Sequence, residues 1–347
     1  MTTIKKIAEC THVSAATVSN VLNGKGGASE AKAREILETA QRMHYTPNLL
    51  AKRLKNQQSN TIGIITEDLT VFNTPEIVDG VDAACEAMGM EIILGNMRLY
   101  KRYHNDFTDT QKHQQLLDKM VEHMLSHQVE GIVYVGYHCR KLVYLPTRIT
   151  VPIIYAYCYP KGQKYPAVIY DDENAAYNLT TLMIQKGHQK IGAICGPLDS
   201  FHTLERLKGY QRALFENGIL FNPGLVQYGD WTRSSGVAAA EVLIQTGVTA
   251  VFAFNDEMAC GVYEYCARHT LKIGTDISVA GFDNRDVSAD CTPSLTTVNL
   301  PLEEIGQTCT RLLTEAIGEK PVDTEITRLP CTLLERESIG PCPNPAK

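Results

Sequence analysis

Asp68, Asn73 and Thr74 come soon after the apolar run TIGIIT, Asn255 follows AVFAF, and Asp283 follows ISVAGF. Each run has the length and β-rich content of a short strand. The polar residues behind them therefore stand at the carboxyl ends of strands, where open α/β sheets hold their ligands. Carboxylates, carboxamides and a hydroxyl in such places bind and orient a polar ligand; alone they break no bond. Bond-making chemistry lacks its usual signatures. There is no GxxxxGK[ST] phosphate loop, no GxGxxG after a strand and no GxSxG elbow. His123 and His127 have i, i+4 spacing but no third ligand nearby, so they read as an exposed helical face rather than a metal site. Asp171 and Asp172 are adjacent carboxylates, and neighbours in sequence make no acid–base pair without a cleft. They read as caps of the helix that follows, and Asp256 likewise as an N-cap. No catalytic residue, cofactor or metal is expected.

The elements that would position these groups alternate. TIGIIT, MEIILGN, VEGIVYVG, VPIIYAY, QKIGAICG, AVFAF and ISVAGF are strand-like, with helical stretches such as PEIVDGVDAACEAMG and GVYEYCARHT between them. That order gives doubly wound parallel sheets. About 280 residues exceed one such sheet, and a second start at Gln189-Lys190-Ile191 predicts two lobes with a cleft between them.

The first 60 residues read differently. They hold nine Lys/Arg against four Asp/Glu, a charge of +5, which leaves −11 for the other 287. A basic head on an acidic body suits a polyanion such as DNA. Ile4, Ile7 and Ala8 share one helical face; His12-Val13-Ser14 breaks it, and Ser14 caps a second helix that carries Val18, Val21 and Leu22. Asn23-Gly24 ends that helix. A third, from Ser29 to about His44, is expected to bury Ile36, Leu37 and Met43. This is a helix-turn-helix, and the outward positions of its second helix, Ala15, Ala16, Thr17, Ser19 and Asn20, are small or hydrogen-bonding, as contact with base edges and phosphates requires.

TIKKIAECTHVSAATVSNVLNGKG resembles the DNA-binding signature of the lactose-repressor family (the LacI/GalR class), and YTPNLLAKRLKNQQSNTIGII resembles its hinge and first core strand. The resemblance implies base reading by Ala15, Ala16 and Asn20, and phosphate contacts by Ser14, Thr17, Ser19 and Asn23. His12 stands where the family turn usually has Gly, and Asn20 where Arg is frequent. It also implies a hinge helix after Pro47, with basic Lys52, Arg53 and Lys55, and with Leu54 as a minor-groove wedge. Helices this short are marginal alone, so this one would form on DNA. The implied body is a two-lobed fold like the periplasmic sugar-binding proteins. Its chain crosses between lobes near residues 161, 290 and 322. The resulting domains are a head at 1–46, a hinge at 47–60, a first lobe of 61–160 plus 290–322, and a second of 161–289 plus 323–340.

GPLDSFHTLERLKGY aligns with the family segment ending in Arg-x-x-Gly, which makes Arg206 the cleft arginine and puts His202 in the same stretch. GDW puts Trp231 in the lining, while Asn255 and Asp283 occupy family ligand positions. The Asn-Pro-aromatic-aromatic run of many relatives is missing near Asn73. An aromatic face beside two-pronged polar groups favours a sugar effector over a purine. The expected protein is a cytoplasmic, effector-controlled repressor that binds a near-palindromic operator as a homodimer. A sugar receptor, or a sugar- or nucleoside-acting enzyme on the same fold, is the alternative.

Three further features bound this reading. No apolar run approaches a membrane span, and the N-terminus lacks a secretory h-region. The eleven cysteines are odd in number and irregular in spacing, so they read as reduced thiols. The tail ERESIGPCPNPAK is too short and too rich in Pro for a heptad helix, hence a dimer rather than a tetramer. Residues 98–112, RLYKRYHNDFTDTQK, form an apparent insertion at the carboxyl end of MEIILGN. It is either a flap over a polar ligand or a surface loop, including one that pads a dimer interface.

Overall fold

The computed structural model describes residues 3–45, 59–104, 109–162 and 165–343, which separate into a head ending at Ser59 and a body from Asn60 onward. The head has three helices, α1 (Ile4–Thr11), α2 (Ala15–Leu22) and α3 (Glu30–Arg42). Thr3, Ser14 and Ser29 cap them, each accepting from the backbone N–H three residues on. Ile7, Val18 and Ile36 are fully buried at their junction. Each contributes about 1.5–3 kcal/mol by leaving water. The turn between α1 and α2 passes through His12 at φ 53°, the left-handed conformation. That explains the family's glycine there, and His12 carries the steric cost that glycine avoids. One expectation fails. Leu37 is half-exposed; Thr39 and Ala40, which complete the i, i+3, i+4 face with Ile36, are the residues buried. The proposed hinge residues, Leu54 and Lys55 among them, lie outside the described residues.

The body is α/β with two parallel sheets. Its strands are β1 (Thr61–Thr66), β2 (Glu91–Asn96), β3 (Gly131–Val135), β4 (Lys141–Leu142), β5 (Ile153–Ala156), β6 (Tyr159–Pro160), β7 (Ala167–Tyr170), β8 (Ile191–Cys195), β9 (Val226–Tyr228), β10 (Ala250–Ala253), β11 (Ser278–Ala280), β12 (Thr297–Asn299), β13 (Ile326–Leu329) and β14 (Thr332–Leu334). Its helices are α4 (Asn73–Ala87), α5 (Leu99–Tyr103), α6 (Thr110–Ser126), α7 (Asp172–Gln185), α8 (Phe201–Glu216), α9 (Arg233–Gln245), α10 (Asp256–Arg268), α11 (Asp286–Asp290) and α12 (Leu302–Ile317). The first sheet has the order β13-β7-β5-β3-β1-β2 and the second β11-β10-β8-β9. Strands β1, β3, β5, β8 and β10 are buried throughout, as sheets covered on both faces require.

The lobe boundaries move from those expected. β7 pairs with β5, and β13 with β7, so the chain stays in the first lobe to Tyr170 rather than 161 and returns to it through Leu329 rather than leaving at 322. Thr296 bridges Ala280, and Asn299 bridges Asp283, so the second crossing follows Asn299 and not residue 290. The change matters because it puts Asp172 immediately past a strand end that faces the cleft.

Helices α7 and α8 pack closely in the second lobe. A Cβ at Gly209 would lie 2.1 Å from the Glu173 carbonyl oxygen and 2.8 Å from the Tyr177 nitrogen. Only glycine lets α8 approach α7 this far, and the approach brings Arg206 of α8 to Asp172 of α7. We predict that Gly209→Ala destabilises the body by about 3 kcal/mol, because the obstructing atoms are backbone and cannot rotate away. Urea unfolding followed by circular dichroism measures it; an unchanged midpoint would contradict the packing argument.

Candidate functional site

A cavity of about 560 Å³ opens between the two lobes. His202, Arg206, Trp231, Asn255 and Asp283 line it together, although they come from four separate chain segments. Each is placed by a strand end or the first turns of the following helix. Asn255 caps α10, its Oδ1 accepting from Met258 N at 2.8 Å, while its Nδ2 donates to the Trp231 carbonyl at 3.0 Å. Trp231 is held at φ 72°, half-buried, with its ring against Gly196, where a Cβ would be 2.1 Å from the indole. Asp283, at φ 104°, sits in a conformation that L-residues rarely adopt.

The centre of the site is a buried ion pair. Arg206 Nε donates to Asp172 Oδ1 at 2.7 Å, and both side chains are almost wholly shielded from water. His202 Nδ1 lies 2.9 Å from the other Asp172 oxygen. Arg206 also donates to the Phe254 carbonyl, to Tyr170 Oη at 3.1 Å and to Asp283 Oδ1 at 3.5 Å. Its guanidinium lies 3.6 Å from the centroid of the Phe282 ring. Of its five N–H groups, four are thus engaged by protein. The arginine is less a free fork for ligand than a clamp that fixes Asp283 and Tyr170 at the cavity wall. Tyr157 Oη and His202 Nε2 are 2.8 Å apart, linking the first lobe to the second.

Electrostatics follow from this packing. Burial alone would raise Asp172, but His202 and Arg206 outweigh it and hold the carboxyl below the usual range. Asp283 is pushed up to about 7, chiefly by burial, with Arg206 opposing. Asp256 rises to about 6 for the same reason. It does not cap α10. Its carboxylate accepts from Thr297 Oγ1 at 2.6 Å and from Arg285 N at 2.7 Å, pinning the segment that carries Asp283. His138, also in the lining, is lowered to about 4, first by burial and then by neighbouring His202 and Arg140, and so is neutral at pH 7.

Asn73 and Thr74 do not line the cavity. They begin α4, both fully buried, and their Oδ1 and Oγ1 atoms lack a hydrogen-bond partner; Thr70, Val71 and Phe72 form that wall instead. Phe72 faces Arg285 across the mouth, with the guanidinium 5.0 Å from the ring centroid. Of the 98–112 segment, α5 brings Tyr100 into the lining. It is tied down by Lys101 N donating to Asp68 Oδ2 at 3.1 Å and by Tyr137 Oη donating to the His104 carbonyl at 2.6 Å. Phe107 lies outside the described residues. Sequence reasoning missed Asp172, Tyr170, Tyr157, His138 and Arg285. Asp171, not Asp172, is the α7 cap, accepting from Asn174 N at 3.1 Å. Among the described residues no cluster of three metal-ligating side chains occurs, and no helix is long and apolar enough to cross a membrane.

In the head, Ala15, Ala16 and Asn20 are exposed on α2, as is Ser14 at its start. Ser14 Oγ accepts from Thr17 N at 3.0 Å, and Asn23 Nδ2 donates to the Ser19 carbonyl at 2.6 Å. Thr17 and Ser19 are half-buried.

Residues 3–48 match the family described as bacterial regulatory proteins, lacI family, and residues 180–339 match a periplasmic binding protein-like domain. Catabolite control protein A of Priestia megaterium is 31% identical over 344 residues, covering 97% of this chain and 98% of the relative. The fold superposes on a lac repressor dimer bound to operator and an anti-inducer with TM-score 0.77, at 24% identity over 97% of this chain and 98% of that one. A complex of the transcriptional regulator CelR with cellobiose gives TM-score 0.63 at 26% identity, over 97% and 100%.

The two carboxylates of Arg206 should behave differently on neutralisation. Asp172→Asn strands a buried guanidinium and is expected to cost about 3–5 kcal/mol in urea unfolding. Asp283→Asn replaces a group already half-neutral at pH 7 and should cost under about 1.5 kcal/mol. Equal losses would show that Asp172 is not the principal partner.

Proposed function

The chain belongs to the lacI family of bacterial regulatory proteins and is a DNA-binding transcriptional regulator; on that premise we propose that it is a repressor whose operator affinity is set by a sugar bound between the lobes of its body. The observation that carries this reading is the cavity itself. Its volume suits a mono- or disaccharide. Trp231 offers an apolar ring, and Asp283, Asn255 and the tyrosine hydroxyls offer acceptors and donors to hydroxyl groups. The CelR complex supports the class, since that regulator holds cellobiose on a body of the same fold.

The head reads DNA through Ala15, Ala16 and Asn20, with Ser14, Thr17, Ser19 and Asn23 toward phosphates. Leu54 and Lys55 act in the hinge. The working unit is a cytoplasmic homodimer on a near-palindromic site, and its work is binding rather than catalysis. A ligand bridging the Asp283 and Phe72 walls stabilises one lobe arrangement over another, which couples the two sites.

The test is an operator-binding assay, using operator selected from random DNA, with and without a panel of sugars. Removing residues 1–56 should abolish DNA binding and leave sugar binding intact; retained operator affinity in the shortened protein would overturn the reading. Sugar affinity should depend on pH with a definite sign. Asp283 is protonated below about 7 because burial penalises its charge. A sugar hydroxyl that donates to it favours the ionised form, so binding releases protons. Affinity should rise by roughly tenfold per pH unit up to about pH 7 and level off above it. Calorimetry across that range checks this, and Asp283→Asn should flatten the profile.

A further inference from the structure

On the second lobe, away from the cleft, a cavity of about 590 Å³ is lined by Arg233, Lys272, Cys260 and Cys291 among others. The two sulfurs are 3.7 Å apart. Cys260 lies in α10 and is nearly buried; Cys291 follows α11 and is half-exposed. A buried thiol in apolar surroundings is inert, but a thiol pair at this distance, open to solvent on one side and with a guanidinium nearby, is a reactive arrangement. We propose that Cys260 and Cys291 form a peroxide-reactive dithiol that closes into a disulfide and fixes the cleft segment Asp283–Cys291.

The roles of the two sulfurs follow from their surroundings. The hydrogen bond from Cys260 holds the Cys291 thiol below its ordinary value, burial opposes this, and Arg233 adds to the lowering. Cys291, the more solvent-accessible of the two, is therefore the attacking sulfur. Its thiolate attacks one oxygen of a hydroperoxide; an S–O bond forms and the O–O bond breaks. The departing oxygen takes the proton that Cys291 released and leaves as water or an alcohol. Cys291, oxidised by two electrons, is then a sulfenic acid. Cys260 sulfur attacks it, the S–S bond forms, and hydroxide leaves with the Cys260 proton as water. The sum is two thiols and one hydroperoxide giving a disulfide, water and a second water or alcohol.

Closing a bridge requires the sulfurs to approach by roughly 1.7 Å, to the usual 2.05 Å. Cys291 is the sulfur on the shorter, less embedded element, so the Asp286–Asp290 segment makes most of that movement. Its far end is held at the cleft, where Arg285 N donates to Asp256. Tyr263 Oη donates to the Pro293 carbonyl at 2.8 Å and holds the other side. Movement of Cys291 is thus transmitted to Arg285 and Asp283. Trp231, the single tryptophan, reports it without any ligand, because Asn255 at the start of α10 donates to its carbonyl and Arg233 two residues on lines the cysteine cavity.

The full-length protein is treated with hydrogen peroxide or with dithiothreitol, alkylated and mapped by mass spectrometry. Oxidation should produce a Cys260–Cys291 cross-linked peptide, about 2 Da below the sum of its thiol forms, that dithiothreitol reverses. Trp231 emission should shift with the bridge in wild type and stay fixed in Cys291→Ser. In Cys260→Ser, Cys291 should accumulate as a sulfenic acid trapped by dimedone. If both cysteines remain alkylatable when exposed Cys10 is fully oxidised, or if Cys291 pairs with another cysteine, the proposal is wrong. A bridge that leaves Trp231 emission unchanged would overturn the connection to the cleft. The wild-type mapping stands even if either serine variant folds poorly.

Discussion

A carboxylate and a guanidinium taken out of water each cost several kcal/mol, recovered only when geometry and further hydrogen bonds are nearly complete. Asp172 and Arg206 meet that condition. The arginine reaches Asp172, a main-chain carbonyl, a tyrosine and a second carboxylate, and it stacks on Phe282. Asp172 in turn fixes His202, which meets Tyr157 from the other lobe. Removing either Asp172 or Arg206 leaves the other stranded. The geometry of this wall is therefore over-determined, and the wall can hold Asp283 and Trp231 at unfavourable positive φ because neighbours leave them no alternative. Gly209 is the backbone condition for the pair. Its missing Cβ is what lets the two helices come close enough for the charges to meet.

Much of the architecture was legible because long periodic segments are strong signals. The seven apolar runs recognised in the sequence all became strands of the two sheets or their edges, and the three head helices appeared where caps and spacing put them. The failures share a cause. AVIY at 167–170 is only four residues, without alternation, and it went unrecognised as β7. Without β7 the sequence puts the first crossing nine residues early and reads Asp172 as a helix cap instead of a residue at a strand end. His202, Arg206, Trp231, Asn255 and Asp283, by contrast, all lie in the lining. Asn73 and Thr74 fail for a different reason. They also follow a strand, but an extra turn intervenes, and by then the chain has entered α4 and points them inward. Leu37 illustrates a third limit: a leucine one position off the buried face is exposed however apolar it is.

The head and the body solve opposite problems. The head must meet a polyanion through a helix that fits against it, so its outward side chains are small and its charge is positive. Its own polar groups are partly spent at home, where Ser14 closes the first turn of α2 and Asn23 its last. Either residue must exchange or share those bonds to reach a phosphate, which makes them positioning groups first. In the proposed reading the base-reading burden then falls on Asn20, with only methyl contacts from Ala15 and Ala16. Such a surface discriminates by fit as much as by hydrogen bonding. In the proposed reading, a second copy and the hinge supply the rest of the selectivity.

The protonation pattern of the cleft bears on what the body is built to hold. Burial pushes Asp283 and Asp256 toward their neutral forms and His138 to its neutral form, while the strong charges of Asp172 and Arg206 are spent on one another. Arg285, Asp230 and Glu257 also line the cavity from the second lobe, charges of both signs in one wall. A phosphate or carboxylate ligand would find its candidate partner, Arg206, already occupied at four of five donors. A neutral ligand with many hydroxyls meets no such competition, because its hydroxyls donate to the ionised form of Asp283 and accept from donors elsewhere in the wall. The same accounting supports the proposed sugar over a ligand anchored on Arg206 itself.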